Sequence, residues 1–290
     1  MHLSSLSLVL AFALGALAAP TPEPRATTGI SQALFDELKW YFQYASSSYA
    51  DTCAQPNGKV FVKKLNNAIT DTQGFIARDD ARKEIIVALR GSESITDALV
   101  DISILPVPLV SEGVDFSLFP LFTVHKGFLT AYNSVAKDVL DTVKSQLVAH
   151  PAYSLVASGH SLGGALASIA GLSMQQNFPA NTVRMYTYGQ PRTFNTPAAL
   201  FVNQQFGNKA HRSVHTNDGV PSLIPQGLLD YRHHGIEYWQ FVDPAVPANF
   251  KSCNADGEDP DCSKQIFPSG GINSAHGLYY GIQSGTTFCS

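Results

Sequence analysis

The stretch GHSLGG at residues 159–164 contains the pattern Gly-x-Ser-x-Gly, with Ser161 at its centre. An apolar run at residues 153–157 precedes it and predicts a short strand, and small and apolar residues from 162 to about 176 predict a helix after it. A tight turn between such a strand and helix would project the Ser161 hydroxyl from a sheet, at a helix N-terminus that favours negative charge. Because strand, turn and helix agree, we interpret Ser161 as a nucleophile rather than as part of an ordinary glycine-rich turn.

A serine hydroxyl becomes a good nucleophile when an imidazole takes its proton, and a carboxylate must orient that imidazole. In hydrolases with this type of turn, the acid and then the histidine follow the serine along the chain. Asp218 lies just after a predicted strand at residues 211–215 and is the favoured acid, with Asp230 and Asp243 as alternatives. Among the histidines downstream, His276 near the C-terminus is the favoured base.

Strands and helices alternate in the prediction on both sides of this turn. Further strands are predicted at residues 74–79, 84–89, 183–188 and 236–242, and further helices at 31–50, 126–148 and 197–205. This alternation predicts an α/β fold, with a central, mostly parallel sheet and helices on both faces. No linker divides the mature chain, so we expect a single domain over residues 29–290.

Composition and the N-terminus indicate the class of protein and its location. The 290 residues are 44% hydrophobic and 14% charged with a net charge of −4, which indicates a globular protein and makes nucleic acid an unexpected partner. Residues 1–18 lack charged side chains and end in small residues, so we expect a secretory signal rather than a transmembrane segment, which needs roughly 20 apolar residues. Residues 19–28 are interpreted as a short pro-segment or an extended arm.

Four cysteines in a secreted chain predict two disulfides, with three pairings possible in principle. Cys253 and Cys262 flank a polar, acidic loop, which favours a local bond between them and leaves Cys53 to pair with Cys289. Three aspartates within that loop are expected to be solvated surface charges: Asp256, Asp259 and Asp261. No Cys-x-x-Cys pattern or neighbouring histidine supports a metal site, and no metal is expected.

Several motifs in a fixed order extend over most of the mature chain. They are ALRGS at 88–92, VHKGF at 124–128, GHSLGGALA at 159–167, YGQPR at 188–192, Asn217-Asp218, EYW at 237–239 and Ala275-His276. Together they resemble the class 3 lipases of filamentous fungi, a family of tri-, mono- and diacylglycerol lipases and related feruloyl esterases. The resemblance implies an α/β-hydrolase fold without a cofactor, a Ser161-Asp218-His276 triad and a bridge between Cys53 and Cys289.

An ester hydrolase of this kind also needs hydrogen-bond donors for the oxyanion. The backbone N–H of Leu162 follows from the turn geometry, and the resemblance implies Ser92 as the second donor. The segment around residues 94–103 predicts a short amphipathic helix, whose apolar face consists of Ile95, Ala98, Leu99 and Ile102. Its position after Ser92 matches the lid of the resembled family.

The sequence therefore predicts a secreted, monomeric serine esterase of the lipase type that acts on lipid or ester substrates at an oil–water interface. A feruloyl or other soluble-ester esterase on the same fold is one alternative, and a catalytically silent lipid-binding protein is another. His160 is expected to be structural because its side chain should point away from that of Ser161. The adjacent pair His233 and His234 is also expected to be structural, since neighbouring side chains on a strand face opposite ways.

Overall fold

The computed structural model describes residues 26–92, 104–116, 121–266 and 271–290. The predicted signal at residues 1–18, most of the predicted arm at 19–28 and the predicted lid residues Ile95, Ala98, Leu99 and Ile102 lie outside these ranges. They remain predictions. The end of the arm is described, and there Thr27–Thr28 forms an edge strand of the central sheet.

Within the described ranges, the elements follow the predicted alternation of strands and helices. The α-helices are α1 (Gln32–Ser47), α2 (Lys126–Ala149), α3 (Leu162–Asn177) and α4 (Thr196–Phe206). The strands are β1 (Thr27–Thr28), β2 (Val60–Asn67), β3 (Thr72–Asp79), β4 (Glu84–Leu89), β5 (Pro106–Pro108), β6 (Val110–Ser111), β7 (Val114–Asp115), β8 (Thr123–His125), β9 (Ser154–His160), β10 (Val183–Tyr188), β11 (Phe194–Asn195), β12 (Ala210–His215), β13 (Tyr231–Arg232), β14 (Glu237–Gln240), β15 (Phe250–Ser252), β16 (Leu278–Tyr279) and β17 (Ile282–Gln283).

The central sheet has the spatial order β1-β15-β14-β12-β10-β9-β4-β3-β2 among the described residues. Its five inner strands, β4, β9, β10, β12 and β14, run parallel to one another, and antiparallel strands flank them at both edges. This is the mostly parallel α/β sheet that the alternation predicts. Because the inner strands are parallel, their carboxyl ends meet at one edge, where a site can form.

Helices cover both faces of the sheet, as the side chains of β4 demonstrate. All six residues of β4 are buried. Ile86 and Ala88 belong to the apolar cluster that contains Phe42 of α1, whereas Ile85 and Val87 belong to the cluster that contains the apolar faces of α2 and α3. A strand packed on both faces is largely apolar, which explains why residues 85–89 of β4 do not alternate.

All four cysteines form disulfides, in the two pairs expected from the sequence. Cys53–Cys289 joins the segment after α1 to the C-terminus across 236 residues, and Cys253–Cys262 closes a short loop. Among the described residues, one group has metal-ligand spacing, Glu237 with Cys253 and Cys262. Since the two sulfurs are bonded to each other, only the Glu237 carboxylate remains as a ligand.

The expectation that the acidic loop carries only solvated charge is wrong for Asp259. That side chain is buried, and its carboxylate accepts hydrogen bonds from the backbone N–H groups of Asn254 and Asp261. Asp256 accepts from Arg232, while Asp261 is exposed as expected. The carboxylates shape the loop because they satisfy backbone donors that the turn leaves unpaired.

No helix in the described part of the chain combines the length and apolar character that a membrane crossing requires.

Candidate active site

Ser161 lies between the carboxyl end of β9 and the first residue of α3. Its backbone has φ 59° and ψ −130°, a region that side-chain-bearing residues rarely adopt, and its N–H donates to Tyr188 O at 2.8 Å. The turn is tight: a Cβ atom at Gly163 would lie 2.2 Å from Leu89 O of β4. This strained geometry is typical of a nucleophile turn. Ser161 Oγ is buried and has no hydrogen-bond partner among the described residues.

Asp218 follows β12 and accepts four hydrogen bonds. They come from His276 Nδ1 to both oxygens (3.0 and 2.9 Å), from the Tyr279 hydroxyl (2.5 Å) and from the Val220 N–H (2.9 Å). Burial acts to raise the pKa of Asp218, but the charge of His276 and these hydrogen bonds outweigh it and hold the pKa below its ordinary value. Asp218 is therefore a buried carboxylate that stays ionised.

His276 lies in a short 3-10 turn over Ser274–Gly277, which the Asn273 side chain caps by accepting from Ala275 N at 2.9 Å. Because the ionised Asp218 carboxylate can only accept, Nδ1 of His276 must carry a proton and act as the hydrogen-bond donor. In the neutral ring, Nε2 is then unprotonated, and within the described residues it is buried without a partner. His276 thus presents a free proton acceptor.

Gly189, the residue after β10, lies against this pair. It has φ 57°, and a Cβ atom there would lie 2.7 Å from His276 Cε1 and 2.9 Å from Asp218 Oδ2. Only glycine fits, because both the backbone conformation and the space exclude a side chain.

The two alternative acids contact other residues. Asp230 accepts from Thr196 N at 3.3 Å, and Asp243 lies 3.2 Å from His215 Nε2. Of the three candidates, Asp218 is the one hydrogen-bonded to His276.

The residues expected to bind an oxyanion lie close to Ser161. Leu162 is the first residue of α3, where backbone N–H groups have no intrahelical acceptor. Gly91 precedes Ser92, and a Cβ atom at Gly91 would lie 3.0 Å from Ser161 Cβ. The turn after β4 and the start of α3 therefore meet beside the serine, which is the position that oxyanion donors require.

The other histidines near the site are buried and bonded to backbone oxygens. His160 Nε2 lies 2.8 Å from His276 O, and burial, together with the charge of His276, lowers the pKa of His160 to about 3. His233 Nε2 lies 2.9 Å from Pro221 O, and His234 Nδ1 lies 3.1 Å from Gly235 O. Since His233 and His234 contact different segments, they do not form a ligand couplet.

Two tyrosines of the site were not identified from the sequence. Tyr279 follows His276 by three residues, and no pattern in the sequence links its hydroxyl to Asp218. Tyr49 lies 111 residues before His160, whose ring it contacts, so no local pattern could reveal it.

Comparisons with known proteins identify relatives of this chain. Residues 86–228 match the lipase (class 3) family. The chain is 33% identical over 234 residues to a lipase of Rhizopus niveus, and this match covers 80% of the chain but only 56% of that relative. It is 32% identical over 250 residues to a secreted alkaline triacylglycerol lipase of Penicillium cyclopium, with 83% and 84% of the two chains covered. The crystal structure of a lipase from Rhizopus microsporus var. chinensis superposes with a TM-score of 0.78 at 34% identity, covering 92% of this chain and 94% of that one.

Proposed function

The chain belongs to the class 3 lipase family, and on that premise we propose that it hydrolyses the carboxylic ester bonds of acylglycerols. The observation that carries the proposal is the buried Asp218–His276 pair. His276 Nε2 and the hydroxyl of Ser161 belong to the same site, and both are without a hydrogen-bond partner among the described residues. His160, the residue next to the serine, has its ring centroid 4.5 Å from that of His276.

The mechanism follows from the proton positions in this site. His276 Nε2 takes the proton of Ser161 as Oγ attacks the acyl carbonyl, and the N–H groups of Leu162 and Ser92 stabilise the oxyanion. The imidazolium then protonates the departing alcohol, which leaves an acyl ester on Ser161. Water, deprotonated by His276, attacks that ester, and Ser161 recovers its proton as the fatty acid leaves. Asp218 stabilises the imidazolium in both steps without itself taking the proton.

The names of relatives support the substrate class and the location. The Penicillium cyclopium relative is named a secreted triacylglycerol lipase. Two disulfides are typical of an oxidising compartment, and the predicted signal at residues 1–18 agrees. We therefore propose an extracellular enzyme that acts on acylglycerols at a lipid surface.

The test is hydrolysis of p-nitrophenyl esters of graded chain length, an emulsified triglyceride and a feruloyl ester. We expect the triglyceride and the longer esters to be cleaved and the feruloyl ester to be a poor substrate. Ser161→Ala, His276→Ala and Asp218→Asn should remove nearly all activity, and their losses should not add because the three groups act as a unit. Asp243→Asn is the matched control and should remain active. Full activity in Asp218→Asn, or preferred cleavage of the feruloyl ester, would contradict the proposal.

A further inference from the structure

The hydroxyl of Tyr49 lies where three segments of the site meet. It is 2.8 Å from Nδ1 of His160, the residue before Ser161, and it lies against Gly91, the residue before Ser92. A Cβ atom at Gly91 would lie 2.2 Å from this hydroxyl and 2.7 Å from His160 O. The Tyr49 hydroxyl therefore contacts both the turn after β4 and the turn that holds Ser161.

The directions of these hydrogen bonds can be assigned. His160 Nε2 faces His276 O at 2.8 Å, and because a carbonyl can only accept, Nε2 must carry the proton. The low pKa of His160, which its burial causes, keeps the ring neutral, so Nδ1 is unprotonated and must accept from the Tyr49 hydroxyl. One directed chain then runs from Tyr49 through His160 to the backbone of His276.

We propose that Tyr49 is a positioning residue, whose hydroxyl donates to Nδ1 of His160, fixes that ring with Nε2 facing the His276 carbonyl, and thereby holds the backbone of His276 in place for proton transfer. The proposal rests on the proposed ester hydrolysis and deepens it. His160 is the intermediate element: it touches no reacting atom, yet its Nε2 proton anchors the turn that carries the base.

The alternative tautomer shows why the Nε2 proton of His160 matters for the turn that carries His276. With Nδ1 protonated, the lone pair of Nε2 would face the lone pairs of the His276 carbonyl, and that buried carbonyl would lose its donor. The turn over Ser274–Gly277 would then shift, and a displacement of about 1 Å at a reacting group can reduce the rate by about a hundredfold. In the observed tautomer, the Tyr49 hydroxyl supplies the donor that the buried, unprotonated Nδ1 of His160 needs.

The test compares Tyr49→Phe in two backgrounds. In the native background, we expect kcat on a short soluble ester to fall about tenfold with little change in KM, because the hydroxyl acts through His160. His160→Gln keeps a donor near the position of Nε2 and has no tautomers, so it should retain much more activity than His160→Leu. Adding Tyr49→Phe to His160→Gln should cost little more. An equal loss in both backgrounds would indicate a merely structural hydroxyl and overturn the proposal.

Tyr41→Phe is the matched control. Its hydroxyl donates to Glu84 Oε2 at 2.7 Å, at the opposite end of β4, so it loses a buried hydrogen bond away from the site. We expect a lower Tm with kcat unchanged. If Tyr49→Phe does not fold, the ¹⁵N shifts of His160 in the unaltered protein decide: an Nδ1-protonated ring overturns the proposal. Failure of the unaltered protein to cleave any ester would instead reject the proposed function, so the two failures are distinguishable.

Discussion

Nδ1 of His276 donates to the carboxylate of Asp218, at 2.9 Å from Oδ2 and 3.0 Å from Oδ1. Both side chains are buried. The Tyr279 hydroxyl and the Val220 N–H occupy further acceptor positions of the same carboxylate. With Asp218 held from several directions, the imidazole has one orientation available, and its Nε2 is left to exchange protons.

Gly189→Ala should disable the site while leaving most of the fold intact. The new methyl group would press on His276 and Asp218, so we expect activity to fall by about a hundredfold or more. Gly207→Ala is the matched control, because Gly207 has a similar φ of 55° but no heavy atom within 4 Å of its Cβ position. That variant should lose about 1 kcal/mol of stability and no activity. The measurement is kcat/KM with Tm, and equal activity in the two variants would contradict the packing argument.

Stability should decrease in acid through Glu258. Burial acts to raise the pKa of Glu258, but two hydrogen bonds and the charge of Arg192 outweigh it and lower the pKa. A lowered folded pKa means that the contribution is fully present above the unfolded value of about 4.3 and is lost as pH falls through the folded value.

Glu258→Gln should reduce the change in unfolding free energy between pH 5 and 3, since a glutamine cannot take up the proton that Glu258 binds in this range. It should also cost about 3–5 kcal/mol at pH 7, because Arg192 is left buried without its partner. Asp141→Asn breaks an exposed pair with Lys137 and should have much less effect. Urea unfolding over this pH range measures the unfolding free energy. The assignment would be refuted if that energy changed with pH in Glu258→Gln as it does in the unaltered protein.

The two disulfides should differ in their contributions to stability. In the chain-entropy view, a bond across 236 residues stabilises by about 5 kcal/mol and one across 9 residues by about 3 kcal/mol. Replacing Cys53 and Cys289 by serine should therefore lower the denaturation midpoint more than replacing Cys253 and Cys262. The reverse order would show that the short loop is the more important restraint.

The predicted lid should make activity depend on a lipid surface. If Ile95 and Leu99 cover the acyl groove in water and turn toward lipid at a surface, activity should rise sharply when a substrate passes from dissolved to emulsified. Replacing both residues by serine should flatten that rise and preserve turnover of a small soluble ester. A smooth saturation curve that the double variant leaves unchanged would mean that this segment is not a working lid.

Local patterns in the sequence were sufficient for the parallel core and for the strand-turn-helix context of Ser161. Burial on both faces gives β4 a continuous apolar run, and the strand-turn-helix context of Ser161 lies within a short stretch of chain. Strands β2 and β15, which lie outside the parallel core, escaped prediction: β2 is largely solvent-exposed, and β15 has three residues, too few for a period to emerge.

Contacts that depend on loop closure or on packing between distant segments were equally hidden. The burial of Asp259 depends on how its loop closes, and the Tyr49–His160 hydrogen bond depends on packing across the sheet. Neither leaves a periodic signal in the sequence.

Covalent labelling by an organophosphonate ester tests the central claim most directly. The reagent captures a serine only when a neighbouring base activates its hydroxyl, so intact-protein mass spectrometry and peptide mapping report the whole arrangement at once. We expect one phosphonate per folded molecule, attached to Ser161, with labelling abolished in Ser161→Ala and strongly slowed in His276→Ala. A folded protein that remains unlabelled at Ser161, or that is labelled at another residue, would contradict the account.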